Sequence, residues 1–130
     1  MKNKLYKYYN PNPAKKEVGD CVIRALCIVT EKSWLDIYDE LTVIGRKLYC
    51  PLNWKECYET YLKENGWKYT GISNKKGTKR PTVKGFTKEH KTGKYFLIVA
   101  NHVVGVSGGQ YIDIWDSGEK CLYGYWTRED

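Results

Sequence analysis

The 130-residue sequence has no apolar run approaching the roughly 20 residues that a membrane-spanning helix needs. Its start, MKNKLYKYYNPNPAKK, carries the positive charge of a signal peptide without the apolar middle. The expectation is a soluble, cytoplasmic protein with no membrane partner. There is no C-x-x-C pair, and the five cysteines, Cys21, Cys27, Cys50, Cys57 and Cys121, are odd in number. Neither a disulfide framework nor a structural zinc site is indicated, a reduced compartment fits, and no metal or cofactor is expected. Histidine is scarce, so any chemistry that needs an imidazole must choose between His90 and His102. No internal repeat or low-complexity linker divides the chain, and residues 1–130 read as one domain with a single core.

What is present argues for a folded globule: 42% hydrophobic residues, with 15% aromatics supplied mostly by Tyr and Trp. The net charge of +7 is spread unevenly. Lys2, Lys4, Lys7, Lys15 and Lys16 have no acid among them, and the segment from Lys75 to Lys94 is dominated by Lys and Arg with Glu89 as its one acid. Lys75, Lys76, Lys79 and Arg80 are the expected contact for an anionic partner, such as an acidic protein or a wall polymer. Nucleic acid has the composition on its side, through Tyr6, Tyr8 and Tyr9 among lysines, but no recognition motif. The plain alternative is a solvated lysine-rich surface.

Residues 1–20 read as extended chain and loop, with NPNP and the Gly19-Asp20 turn as punctuation. From Cys21, apolar residues at Val22, Ala25, Leu26 and Val29 recur at helical spacing behind Asp20 as N-cap. Ser33 caps a second helix whose inner face is Trp34, Ile37, Leu41, Ile44 and Leu48, and Asn53 caps a third that stops at Asn65-Gly66. A strand at 67–72, a polar loop and a short helix from Thr82 to His90 follow. KYFLIVA, HVVGVS, YIDIWDS and CLYGYW then predict an antiparallel meander. Helices first and sheet second make an α+β domain.

A thiol in the first turn of a helix faces unpaired amide hydrogens and the positive end of the dipole, which favours the thiolate. Cys21 holds that place; the other four cysteines read as small buried hydrophobes. His90 sits in the lysine-rich KEHKTG and reads as an exposed helix end, whereas His102 opens a strand joined by a glycine turn to YIDIWDS. A three-residue loop at 108–110 pairs Ser107 with Tyr111 and places Asp116 across from His102. Asp113 is the rival and points to the opposite face in that register; a two-residue turn at Gly108-Gly109 would shift the pairing. The expected constellation is Cys21 as nucleophile, His102 as base and Asp116 as the carboxylate that orients it. A histidine facing an aspartate on a sheet is also a common structural pair.

These residues resemble the papain-like cysteine peptidases. A Cys opens the central helix, a His opens a strand of the sheet-bearing half, and an Asn or Asp follows the next turn. NHVVGVSGG is similar to the stretch around the papain-type histidine, and GDCVIRAL, with an acid before the Cys, resembles the branch that processes bacteriocin leaders. The resemblance runs from Asn10 to Trp126 and implies a papain-like fold, with N-terminal helices packed on a C-terminal antiparallel sheet. It also implies hydrolysis of a peptide, isopeptide or related amide bond in a protein or peptide substrate. Those families place a Gln about six residues before the Cys to bind the oxyanion. Here Lys15 occupies that position, which leaves Asn12 as the expected donor if its loop folds over the site. The glycine or small residue that commonly follows the nucleophile is Val22. The general shape looks like small stand-alone phage or mobile-element proteins, so a non-catalytic inhibitor of a host system on the same fold is the alternative, and a peptidoglycan amidase a further one.

Overall fold

A computed structural model describes residues 3–73, 75, 77 and 79–128. Four helices and six strands form an α+β domain. In chain order these are β1 (Tyr6–Tyr8), α1 (Cys21–Thr30), α2 (Trp34–Leu48), α3 (Lys55–Glu64), β2 (Lys68–Gly71) and α4 (Val83–Glu89). They continue with β3 (Lys94–Val99), β4 (His102–Ser107), β5 (Gln110–Asp113) and β6 (Gly124–Thr127). The helices fall where the apolar periodicity puts them, and two caps behave as expected. Ser33 Oγ accepts from the Asp36 amide at 3.1 Å, and Thr82 Oγ1 from the Gly85 amide at 3.0 Å. Asp20 precedes α1 but does not cap it, because its carboxylate is turned to Arg24 and Trp34 instead. Helix α3 starts later than expected, with Trp54 rather than Asn53 as its N-cap residue.

The sheet order is β1-β5-β4-β3-β6-β2. It is mixed rather than an antiparallel meander. The chain before α1, read as extended chain and loop, contributes β1, which runs parallel to β5 with Tyr6 opposite Tyr111. After β5 the chain leaves the growing edge, and β6 returns to pair with β3 on the far side. Alternation along β3 divides the core. Phe96 and Ile98 face α1, α2 and α3 with Leu26, Ile37, Leu41 and Trp126, while Leu97 and Val99 face α4 with Val83, Phe86 and Leu122. Cys27 and Cys57 lie in the helical core as expected, Cys50 packs at its margin, and Cys121 departs from expectation by being exposed.

Two glycine positions set the geometry that matters later. The β4–β5 turn has two residues, Gly108 and Gly109, with φ of +58° and +79°, the left-handed pair that a tight hairpin requires. Gly105 lets α1 approach β4 closely: a Cβ there would lie 2.8 Å from Ile28 Cβ and 2.9 Å from the Ala25 carbonyl oxygen. The second obstacle is backbone and cannot rotate away. Gly105→Ala should therefore lower unfolding free energy by about 1–3 kcal/mol, the usual cost of overpacking. Urea denaturation measures this, and an unchanged midpoint would mean that α1 and β4 are further apart.

Candidate active site

Cys21 is the first residue of α1 and is partly buried against the helical core. Burial alone pushes its thiol up. Hydrogen bonds from the His102 imidazole and the Val103 amide, with the positive charges of His102 and Arg24, outweigh that cost and hold it below the ordinary value. The contrast with the core thiols decides between cysteines. Cys27, lining a separate cavity of about 460 Å³ beside Trp34 and Pro11, is pushed up to about 12 by burial and the charge of Asp20. Cys57 is pushed up to about 11 by burial and the neighbouring Cys50.

The imidazole that meets Cys21 is His102, and its other partner is Asp113 rather than Asp116. His102 Nε2 lies 2.6 Å from Asp113 Oδ2, which leaves the second ring nitrogen for the thiol. The correction follows from the turn. With two loop residues instead of three, Ser107 pairs with Gln110, Val106 with Tyr111 and Gly105 with Ile112. That one-residue slip puts Asp113 in the same alternation as His102 and removes Asp116 from it. Asp116 is instead a structural anchor. It accepts from the Tyr111 hydroxyl at 2.5 Å, the Gly118 amide at 2.9 Å and Asn3 Nδ2 at 3.3 Å. Although burial works the other way, these bonds and nearby Lys84 hold the Asp116 carboxyl below its usual range. Burial by itself pulls His102 down, but its bonds to Asp113 and Cys21 raise it to about 9.

The sequence reading missed Arg24. Its side chain is only 5% exposed and carries a full charge into the helical layer, where it pairs with Asp20 and Asp113. A lone cation in the apolar run VIRALCIV was the available signal, since a buried guanidinium needs carboxylate partners. Trp115 was also missed; its ring lies 4.7 Å from the His102 ring and covers one side of it. A two-residue register places position 115 opposite His102.

Asn12 is not presented as an oxyanion donor. It is buried, with Nδ2 directed at Asp20 Oδ2 at 3.4 Å and Oδ1 accepting the Ala14 amide. The hollow beside Cys21 and His102, about 310 Å³, is lined instead by Asn53, Asn101, Trp54, Tyr58 and Ile98. Among the basic residues, Lys75 and Lys79 are exposed, Arg80 stacks over Tyr123 at 4.9 Å, and Lys76 lies outside the described residues. None of the three described ones lines this hollow. His90 ends α4, stacked on Phe86 with Nδ1 bonded to the Phe86 carbonyl, away from Cys21.

Iodoacetamide at about pH 6 should label Cys21 before the other four cysteines, including exposed Cys121, because alkylation follows the thiolate. Peptide mass spectrometry reads the order, and protection of Cys21 would remove it as a nucleophile. The raised His102 value has a stability consequence with a definite sign. Its contribution is complete below about 6.5, the ordinary value, and is lost as pH rises through about 9. In Cys21→Ala, where no thiol ionisation offsets it, the urea midpoint should therefore fall as pH rises from about 7 to about 9.5, less so when Asp113→Asn is added, while adding Asp116→Asn should keep the slope. Compared with family models, curated proteins and solved structures, the chain shows no match, so the site rests on its own geometry.

Proposed function

We propose that the chain is a cysteine hydrolase of the papain-like type, acting on a peptide or related amide bond through Cys21, His102 and Asp113. The observation that carries this reading is that a thiol at a helix start and an imidazole line one hollow, with the imidazole 2.6 Å from a buried carboxylate on its other side. No metal-binding group of three or more His, Cys, Asp or Glu occurs among the described residues, and the reaction as written needs none.

The Cys21 thiolate adds to the substrate carbonyl, and the backbone amide of Cys21 at the helix start donates to the resulting oxyanion. Asn53 or Asn101, which line the same hollow, would supply a side-chain donor. His102, protonated in this state, passes its proton to the leaving amine as the C–N bond breaks and a thioester forms. The neutral imidazole then takes a proton from water, whose hydroxide displaces Cys21 and releases the acid. Asp113 keeps Nε2 of His102 occupied throughout, so only the nitrogen facing Cys21 exchanges protons. Trp54, Tyr58 and Ile98 give the hollow an apolar wall suited to a bulky apolar substrate side chain beside the scissile bond.

The test is a proteome-derived peptide library incubated with the protein, with new C-termini read by mass spectrometry. Wild-type protein should cleave after or before bulky apolar residues, and Cys21→Ala should lose at least about a hundredfold in rate while keeping its fold. Cleavage that survives Cys21→Ala would overturn the reading. So would an effect on a partner that Cys21→Ser leaves intact but that Glu at Lys75, Lys79 and Arg80 abolishes, the result expected of a binding protein.

A further inference from the structure

We infer that Arg24 is the positioning residue of this site, joining its two halves by holding Asp113 behind His102 and Asp20 behind Cys21. The inference rests on the hydrolase reading above and adds a residue to it.

Cys21 belongs to a helix and His102 to a sheet, so their separation depends on how α1 docks on β4 and β5. Apolar packing fixes that docking only to the extent that side chains interdigitate, and it does not orient a carboxylate. Arg24 does both, one turn after Cys21. Its Nε and Nη2 each lie 3.2 Å from Asp113 Oδ1, and its Nη1 bonds the Asp20 carboxylate and, at 3.0 Å, the Val18 carbonyl. The Ile114 amide also donates to Asp113 Oδ1, at 2.8 Å. One carboxylate oxygen is thus saturated by fixed donors, and Oδ2 is left to face His102 Nε2. On the other side, Asp20 Oδ2 accepts the Trp34 indole N–H at 2.8 Å and Asn12 Nδ2 at 3.4 Å. The turn that delivers the Cys21 amide is held at three points. The cation lies at a buried place where its two carboxylates are the ones next to the dyad.

The charged and titratable groups that face the dyad are Asp20 in the turn before α1, Arg24 on α1, Asp113 on β5, Lys55 and Tyr58 on α3, and Tyr6 on β1, whose hydroxyl donates to the Asp113 carbonyl. Among them Arg24 touches both carboxylates. Removing its charge takes a cation from the neighbourhood of the thiolate and leaves Asp113 held by fewer donors. A residue that merely stabilised the fold would change the melting temperature without moving the titration of Cys21.

The experiment is the pH profile of Cys21 alkylation by iodoacetamide in Arg24→Met and Arg24→Lys, with no substrate needed. In Arg24→Met the midpoint should rise by about one unit, making alkylation about tenfold slower below it. Arg24→Lys keeps a charge without the planar fork and should slow it about threefold. If Arg24→Met does not fold, Arg24→Met combined with Asp20→Asn removes one of the two orphaned carboxylates and is titrated in its place, while Arg24→Lys is read regardless. A wild-type profile in the folded variants, whatever their melting temperatures, overturns the inference. An ordinary thiol midpoint in the wild-type protein would instead sink the hydrolase reading itself, so the two failures are told apart.

Discussion

The ion pair between buried Arg24 and two aspartates is the constraint on which the rest of the site depends. A guanidinium at 5% exposure and carboxylates at 6% and 3% are costly to take out of water, and they are tolerable only because the cation touches both carboxylates and each oxygen is bonded. Asp20 lies in the turn before α1 and Asp113 at the end of β5, so satisfying Arg24 fixes the helix start against the sheet. The close contact at Gly105 acts in the same direction, since it lets α1 settle onto β4 at backbone distance. Packing sets how close the helix lies, and the ion pair sets its position along the strands.

The N-terminal arm serves the same end. Tyr6–Tyr8 pairs with β5 in parallel, the Tyr9 amide bonds the Asp113 carbonyl at 3.1 Å, and the Tyr6 hydroxyl reaches that carbonyl at 3.2 Å. The backbone of Asp113 is therefore held from the sheet edge while Arg24 holds its side chain from the helix. Asn10 and Asn12, both buried, hold the NPNP loop by bonds to its own backbone, with Asn12 also reaching Asp20. Their amides are used for structure, which is the physical reason that Asn12 does not reach the hollow.

Much of the helical half was legible because burial imposes a 3.6-residue period and Ser33 and Thr82 have side chains suited to capping. The sheet was less so. Strands were readable from β-branched and aromatic runs, but pairing is a long-range property, and nothing local in KLYKYY announces a parallel edge strand beside β5. For the site, Cys21 and His102 followed from local context. The carboxylate did not, because a hairpin's whole register hangs on one residue of turn length. Gly108-Gly109 is itself a signature of the two-residue turn, and reading it so selects Asp113. Arg24 was hidden for a different reason: a helix pattern records that a position is buried, and not which charges from elsewhere will meet it.

The charges around the dyad explain why the thiolate is favoured at a half-buried cysteine relative to the ordinary thiol. Among the buried groups beside the dyad, two carboxylates against one guanidinium leave a single negative charge. Transfer of a proton from Cys21 to His102 does not alter the total, so the interior pays no new net charge for forming the ion pair. What changes is where the charge lies. The positive end appears on His102, against Asp113 Oδ2, and the negative end on Cys21, near the Val103 amide and within the field of Arg24. Desolvation opposes both ions, and the arrangement of fixed partners overcomes it on both sides, with His102 raised and Cys21 lowered. The ion pair is thus favoured by the direction of the local field rather than by an excess of charge of either sign. The surface lysines, which give the molecule its overall +7, are not what activates the thiol.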